Sequence, residues 1–160
     1  MYLVDSDVLI DAKNRHYGFD IVPAFWDWLG REHQAGKVFV VQRVADEVLA
    51  GADELAEWMK AQPASFKLAP TAADVASLTS VSQWASSAGY QAAAVSAFLQ
   101  AGDYFNVAQA LTLTYTVITQ EKPEPASRKK IKIPDACDAV GVSWMTPFQM
   151  LSNEGARFKL

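Results

Sequence analysis

Cysteine is almost absent from the sequence. The one cysteine, Cys137, cannot form a disulfide within the chain, and a chain with so few thiols is typical of the reducing cytoplasm. Histidine is equally scarce, with two residues, so the chain offers no His and Cys cluster for a zinc site. Cys137 is therefore predicted to be a core residue, and the protein is expected to be cytoplasmic.

Long apolar runs are also missing. Although 51% of the residues are hydrophobic, charges interrupt each run before it reaches the roughly 20 residues that cross a bilayer. No cationic start precedes an apolar block, so neither a signal peptide nor a membrane partner is expected. The chain shows no repeat, linker or low-complexity tract. We therefore predict one domain over residues 1–160.

A surplus of positive charge is lacking as well. The formal net charge is −4, whereas a nucleic-acid-binding protein usually shows a basic stripe. Basic residues gather in one short stretch, called here the basic segment: Arg128, Lys129, Lys130 and Lys132. The segment is either a solvated loop or a surface that binds a nucleic-acid backbone through its charges. The charge pattern alone leaves both interpretations open.

Short apolar runs alternate with helical periodicity along the whole chain. The runs that predict β-strands are residues 2–4, 38–41, 65–68, 114–119 and 142–144, and residues 131–133 are predicted to be briefly extended. Helices are predicted between the strands, beginning for example at Pro23 and after a Thr71–Asp74 capping box. Strands that alternate with helices form a parallel sheet covered on both faces. We therefore predict an α/β fold, a three-layer α/β/α sandwich around a central, mainly parallel sheet.

Acidic residues recur at one structural position, after an apolar run and at or before the start of a helix. Asp5, Glu47, Asp103 and Glu121 share this position. Because ligands bind beyond the carboxyl ends of the strands in open α/β sheets, we predict that the four acids converge there. Local alternatives exist: Asp5 or Asp7 caps the following helix, and Glu47 is an ordinary surface acid.

Converging carboxylates have a chemical consequence. Their mutual repulsion either raises a pKa or requires a cation. An all-oxygen ligand set favours Mg²⁺ or Mn²⁺ over zinc, and magnesium is commonly shared between one or two carboxylates and a substrate phosphate. Two such ions roughly 4 Å apart can activate a water and stabilise the leaving oxygen. The acids therefore indicate metal-dependent cleavage of a phosphodiester bond.

The stretches that contain these acids resemble PIN-domain ribonucleases, the family that includes the VapC-like toxins of bacterial toxin–antitoxin pairs. They read V-D-S-D-V-L-I-D at residues 4–11, A-D-E-V-L-A-G at 45–51, G-D-Y-F-N-V-A-Q-A-L at 102–111 and T-V-I-T-Q-E at 116–121. In order and spacing the resemblance covers the whole chain. It implies a PIN-like fold and an endoribonuclease that hydrolyses RNA with Mg²⁺ or Mn²⁺, with RNA as substrate.

The resemblance also implies which acids carry the reaction. Asp5, Glu47 and Asp103 correspond to the three core acids of the family, which are catalytic and bind metal. Glu121 corresponds to the fourth acid, which helps to hold a second metal or positions the attacking water. Family members usually have an aspartate at this point, so Asp135 is the alternative to Glu121.

Supporting residues follow from the same comparison. Ser6 and Thr119 match the small polar residues that orient a water or a carboxylate in the family. Asp7 stands where the family favours asparagine and is a further candidate for a supporting role. The basic segment lies beside the fourth acid in sequence and is predicted to bind the RNA backbone.

The number of tryptophans suggests a covered surface. Five are present: Trp26, Trp28, Trp58, Trp84 and Trp144. They exceed what one helical stripe needs, and Trp28 lies off the apolar stripe that contains Phe25, Trp26 and Leu29. The family resemblance implies a homodimer or an antitoxin protein that covers such residues.

Two other functions stay open. D-S-D-V-L after a strand also matches the D-x-D-x-[TV] opening of haloacid-dehalogenase-like phosphatases, in which Asp5 would be the nucleophile and Asp7 a general acid. The order of the later motifs argues against that family, since the strand ending at Thr119 follows the Gly102–Asp103 acid. The second alternative is a catalytically degenerate PIN-like module that binds a protein partner, which the irregular fourth acid and the acidic net charge suggest.

Overall fold

The computed structural model describes residues 1–159, one residue short of the predicted domain, and a five-stranded parallel sheet forms the centre of this range. The strands are β1 (Tyr2–Val4), β2 (Val38–Val41), β3 (Lys67–Leu68), β4 (Thr116–Ile118) and β5 (Trp144–Met145). They lie in the order β3-β2-β1-β4-β5. β1 is central, since Leu3 pairs with Phe39 of β2 and Val4 pairs with Ile118 of β4.

Helices connect the strands and cover the sheet. Within residues 1–159 they are α1 (Ser6–Asp11), α2 (Pro23–Gln34), α3 (Gln42–Leu49), α4 (Glu54–Ala61), α5 (Val75–Ser87), α6 (Ala92–Gln100), α7 (Gly102–Leu113), α8 (Ile133–Val140) and α9 (Pro147–Asn153). A π-helical turn, Ala12–His16, continues α1. No helix in the described part of the chain combines the length and the apolar character needed to span a membrane.

The burial pattern shows why the sheet is covered on both faces. Successive residues of a strand point to opposite faces, and Leu3 and Val4 of β1 are both almost fully buried, as are Val40 and Val41 of β2. Apolar layers therefore lie above and below the strands, with α7 packed against β2 and β4. Cys137 is buried in this core, as predicted. The predicted three-layer α/β/α arrangement around a parallel sheet is confirmed.

Four predicted extended segments differ from the structure. The segment 114–119 is a strand only at Thr116–Ile118, and of residues 142–144 only Trp144 belongs to a strand, which continues to Met145. Residues 65–68 were expected to be extended, but Ala64–Phe66 form a 3₁₀ turn that the Phe66 N–H closes on the Pro63 carbonyl, and only Lys67–Leu68 pair with β2. Residues 131–133 are not an isolated extended segment, because Ile133 already begins α8 with Pro134 in its first turn. Proline favours the first turn of a helix, where its missing N–H has no partner to lose.

The tryptophans do not form an exposed surface. Trp28 is 5% exposed and packs edge-on against Phe158 of the C-terminal segment, so its expected position off the buried face is wrong. Trp26 is buried too, and the remaining tryptophans are half-buried. A C-terminal segment that folds back covers a helix face that periodicity alone marks as polar.

Candidate active site

The carboxyl ends of β1 and β4 meet at one edge of the sheet. The Asp5 N–H donates to the Ile118 carbonyl at 3.0 Å, which places Asp5 beside Thr119, the residue after β4. Asp5 is the N-cap of α1, but its side chain accepts no capping hydrogen bond. The interpretation of Asp5 as a helix-capping side chain is therefore wrong.

Glu47 of α3 joins the starts of two other helices. Its Oε2 accepts a hydrogen bond from Ser6 Oγ at 3.1 Å, and its Oε1 accepts one from the Gly102 N–H at 2.7 Å. Ser6 follows Asp5 and Gly102 precedes Asp103. Although Glu47 is exposed, its carboxylate is held in place, unlike that of an ordinary surface acid. The structure thus brings Asp5, Glu47 and Asp103 together.

Gly102 leaves no space for a side chain at this point. A Cβ built on Gly102 would lie 2.8 Å from Glu47 Oε1 and 3.0 Å from its Cδ, closer than non-bonded atoms approach. The close contact lets the Gly102 N–H reach the carboxylate. In the sequence, Gly102 is visible only as the first residue of the motif at 102–111, and its place directly before Asp103 was the signal that could have revealed its role.

Burial and mutual repulsion perturb the two innermost acids. Asp5 is 1% exposed, and burial raises its pKa well above the usual range, with further increases from the charges of Asp103 and Asp7. Burial also raises the pKa of Asp103, to about 7, helped by the charges of Glu121 and Glu47. Asp7 itself is exposed and contributes charge from the rim. These acids therefore share one electrostatic site.

Glu121 belongs to this site, and Asp135 does not. Glu121 Oε2 accepts a hydrogen bond from the Ile133 N–H at 2.8 Å, and the Glu121 N–H donates to Thr119 Oγ1 at 3.1 Å. Asp135 Oδ2 instead accepts from the Glu124 N–H at 2.8 Å, within the loop. The geometry therefore favours Glu121 as the fourth acid. We call Asp5, Glu47, Asp103 and Glu121 the acidic cluster.

The oxygen donors of the cluster suit a small divalent cation. In residues 1–159 no three Asp, Glu, His or Cys side chains are already arranged around one point as a metal site. Asp5 Oδ1, however, is buried with no hydrogen-bond donor among these residues, an arrangement that costs free energy unless a cation or donor satisfies it. Because magnesium commonly uses only one or two carboxylates and completes its shell with water and phosphate, the residues fit Mg²⁺ or Mn²⁺.

Asn106 of α7 is a buried polar residue that the sequence pattern did not indicate as a candidate site residue. It lies one turn after Asp103, is fully buried, and neither its Oδ1 nor its Nδ2 has a hydrogen-bond partner in the described part of the chain. Such an amide is uncommon and often marks a functional region. A polar residue at a helix position where an apolar one would pack was the available signal.

Within the basic segment, Lys130 lies closest to the acidic cluster. Its Nζ is 4.0 Å from Glu121 Oε1, and its charge opposes the rise in the pKa of Asp103. Lys129 precedes it on the same exposed loop and forms no ion pair with residues 1–159. These two lysines place positive charge beside the acids.

The other two members of the basic segment have partners in the chain. The Arg128 guanidinium donates to the carbonyls of Pro125 and Ser127 and lies over the Tyr90 ring at 5.2 Å from its centroid. Lys132 Nζ lies 3.9 Å from Glu124 Oε1. Their side chains therefore hold the loop together, and the structure does not place them beside the acids.

The sequence matches the family model described as domain of unknown function (DUF4411) over residues 2–158. The chain belongs to the DUF4411 family. No curated protein matches this DUF4411 sequence.

Two solved structures are similar to this DUF4411 chain, with equal sequence identity and equal TM-score. A chain in the crystal structure of FitAcB from Neisseria gonorrhoeae has 18% identity and a TM-score of 0.58, and the match covers 92% of this chain and 99% of that one. A chain in the structure of FitAB bound to an IR36 DNA fragment has the same identity and TM-score, with 92% of this chain and 96% of that one covered. At this identity the similarity establishes the fold, and the PIN-like α/β fold is confirmed.

Asp103→Asn is expected to stabilise the metal-free DUF4411 protein at pH 8 by a few kcal/mol. Folding raises the pKa of Asp103 from 3.8 to about 7, so between these values the folded state binds a proton that the unfolded state has released. Stability therefore falls as the pH rises through this window, and the full penalty persists above pH 7. One pKa unit corresponds to about 1.4 kcal/mol, and asparagine carries no charge at any pH.

Urea unfolding in EDTA at pH 4 and pH 8 measures this effect. The gain from Asp103→Asn should be large at pH 8 and small at pH 4. Asp20→Asn, in an exposed loop, is the matched control and should show no such difference between the two pH values. An equal gain from Asp103→Asn at both pH values would contradict the electrostatic explanation.

Proposed function

We propose that the protein is a Mg²⁺- or Mn²⁺-dependent endoribonuclease of the VapC-like kind, the toxin of a toxin–antitoxin pair. The observation that carries the proposal is the acidic cluster, in which carboxylates from distant parts of the chain meet at the carboxyl edge of a parallel sheet. Asp5 is buried there with one oxygen that no group of the described chain satisfies. The PIN-like fold and the four motifs support a nuclease.

Asp5, Asp103 and Glu47 have different roles in the proposed reaction. Asp5 and Asp103 are the two acids of the cluster whose pKa burial raises, and they would hold the cation. Glu47 is bonded to Ser6 and to Gly102, so it fixes the helix starts that carry the other two acids. When bound, the cation would activate a water and stabilise the leaving oxygen of the phosphodiester.

Two groups complete the site. The Ile133 N–H holds Glu121 in place, so its carboxylate can orient the attacking water in line with the phosphorus. Thr119 is fully buried and supports the backbone of Glu121 through its hydroxyl. Lys130, beside Glu121, supplies positive charge for the phosphate that enters the cluster.

The proposed substrate and partner rest on the resemblance of the motifs and not on the acidic cluster. RNA is proposed as the substrate because the motifs resemble those of ribonucleases. One structure of similar fold, FitAB, is bound to a DNA fragment. An antitoxin or a second copy of the chain, in the cytoplasm, is proposed from the family resemblance. The four most exposed large apolar side chains within residues 1–159 are Met1, Ile21, Val75 and Phe148. They lie on separate parts of the chain and do not by themselves define a docking surface.

Incubation of the purified protein with total RNA tests the proposal. RNA should be cut into discrete fragments in the presence of Mg²⁺ or Mn²⁺, and EDTA should stop the cleavage. Calorimetry with Mn²⁺ should show saturable binding. A protein that neither binds Mn²⁺ nor cuts RNA would be a degenerate module, and covalent phosphorylation of Asp5 by a small phosphate donor would instead support a phosphatase.

A further inference from the structure

A pocket opens directly beside Asp103. It has a volume of about 280 Å³ and lies between α6 and the basic segment. Ala93, Ala94 and Ala97 of α6 line it, together with Lys129 and Lys130 of the basic segment. We call it the alanine pocket. It is a mainly apolar recess whose lining also includes Asp103, an acid of the proposed active site, and the two lysines.

The pocket results from a local feature of the sequence. α6 carries alanine at three consecutive positions and again at Ala97, so the helix presents methyl groups where larger side chains would fill the space. Phe98, 4% exposed, also lines the recess. The cavity therefore exists because the side chains on this part of the α6 surface are small.

The basic segment is held in place by contacts that need no ligand. The Gln91 N–H donates to the Arg128 carbonyl at 2.9 Å, which ties the basic segment to the start of α6. Arg128 also packs over Tyr90 in the turn before α6. A preformed pocket loses less conformational entropy when a ligand enters it.

We propose that the alanine pocket binds the unpaired base of a nucleotide next to the scissile phosphate of a single-stranded RNA. This inference rests on the proposed function and adds a substrate subsite to it. Methyl groups offer an apolar surface for the face of a base, and the ammonium groups of the two lysines complement the adjoining phosphates. Asp103 lines the pocket, so a base bound there would place the neighbouring phosphate at the acidic cluster.

The pocket also defines the class of RNA. A base in a duplex is stacked and paired, so its apolar faces are not available to a recess of this kind. Bases in loops and single strands can enter such a recess, and proteins that read RNA sequence use them in this way. The protein is therefore expected to cut loops or single strands and to prefer certain bases beside the cleavage point.

Ala97→Leu tests this inference, with Ala92→Leu as the matched control. Both alanines are exposed on α6, but only Ala97 lines the pocket. Leucine at position 97 should fill the space, weaken the binding of a single-stranded oligonucleotide in EDTA by about tenfold or more, and flatten the base preference of cleavage. Leucine at position 92 should change neither. Ala93→Leu, in the lining of the same pocket, provides a second variant.

An oligonucleotide with one abasic nucleotide, moved along the strand, tests the same contact from the RNA side. At one position of the strand, the missing base should weaken binding to the wild type. The same abasic oligonucleotide should bind Ala97→Leu as well as the intact one does, because the substitution and the abasic nucleotide remove the same interaction. If Ala97→Leu and Ala93→Leu both match the wild type, the pocket assignment is overturned while the proposed function stands. If the wild type neither binds nor cuts any RNA, the proposed function and this inference both fall.

Discussion

Asp5→Asn is expected to reduce RNA cleavage by more than about 100-fold, since even a residue that only supports a metal ligand changes activity by about 10- to 100-fold. Asp5 is 1% exposed and follows the central strand directly. Its negative charge is what would bind the cation, and asparagine keeps the shape of the side chain without that charge. The substitution should also abolish the strongest component of Mn²⁺ binding in calorimetry.

The fold should survive this change. Burial raises the pKa of Asp5 well above its usual range, with Asp103 and Asp7 adding to the effect, so an ionised Asp5 destabilises the metal-free protein at neutral pH. Asparagine removes that penalty, and the free energy of unfolding at pH 8 should be unchanged or higher. Asp27→Asn, on the exposed side of α2, controls for loss of an acid elsewhere. Equal RNA cleavage by wild type and Asp5→Asn would reject the proposed active site.

Gly102→Ala is expected to lower RNA cleavage by about 10- to 100-fold, the range that supporting residues of metal sites show. The new Cβ would lie 2.8 Å from Glu47 Oε1, so the carboxylate must move. That movement breaks the bond from the Gly102 N–H and disturbs the bond from Ser6. Asp103, one residue later, then loses its fixed position relative to Asp5.

A second glycine provides the control for Gly102→Ala. Gly30 lies within α2, and a Cβ added there meets no atom within 4 Å. Gly30→Ala should leave RNA cleavage unchanged and stabilise the protein by up to about 1 kcal/mol, because alanine favours a helix. If Gly102→Ala cleaves as fast as Gly30→Ala, Glu47 does not organise the site through Gly102. Cleavage and thermal unfolding of both variants should be measured together.

The arrangement of the fold could be predicted because strong local signals coincide with element boundaries. The apolar runs of β1 and β2 end where a helix begins, and the predicted bounds match the structure there. The acids that follow the strands could be found for the same reason, since the ends of parallel strands meet at one edge. Asp5 and Glu121 illustrate this, because Asp5 follows β1, Glu121 follows β4, and β1 and β4 are neighbours in the sheet.

Other features depend on contacts between distant residues, and local patterns do not reveal them. Gly102 matters because Glu47 reaches it from another helix. Trp28 is buried because Phe158 returns to cover it. On α7 the polar residues Asn106 and Gln109 are buried, and the Gln109 amide donates to the Leu68 carbonyl at the end of β3. Hydrophobic periodicity places such residues at the surface, because it carries no information on a partner elsewhere in the chain.

The central place of β1 has a consequence for protein synthesis. β1 leaves the ribosome before the other four strands, yet its neighbour β4 and the acid Glu121 follow more than a hundred residues later in the sequence. A nascent chain that has emerged only as far as residue 101 contains Asp5 and Glu47 but lacks the helix that carries Asp103. Under the proposed function, the acidic cluster therefore cannot assemble until the chain has emerged beyond Glu121, and a chain that terminates before residue 102 lacks Asp103 and should not cleave RNA.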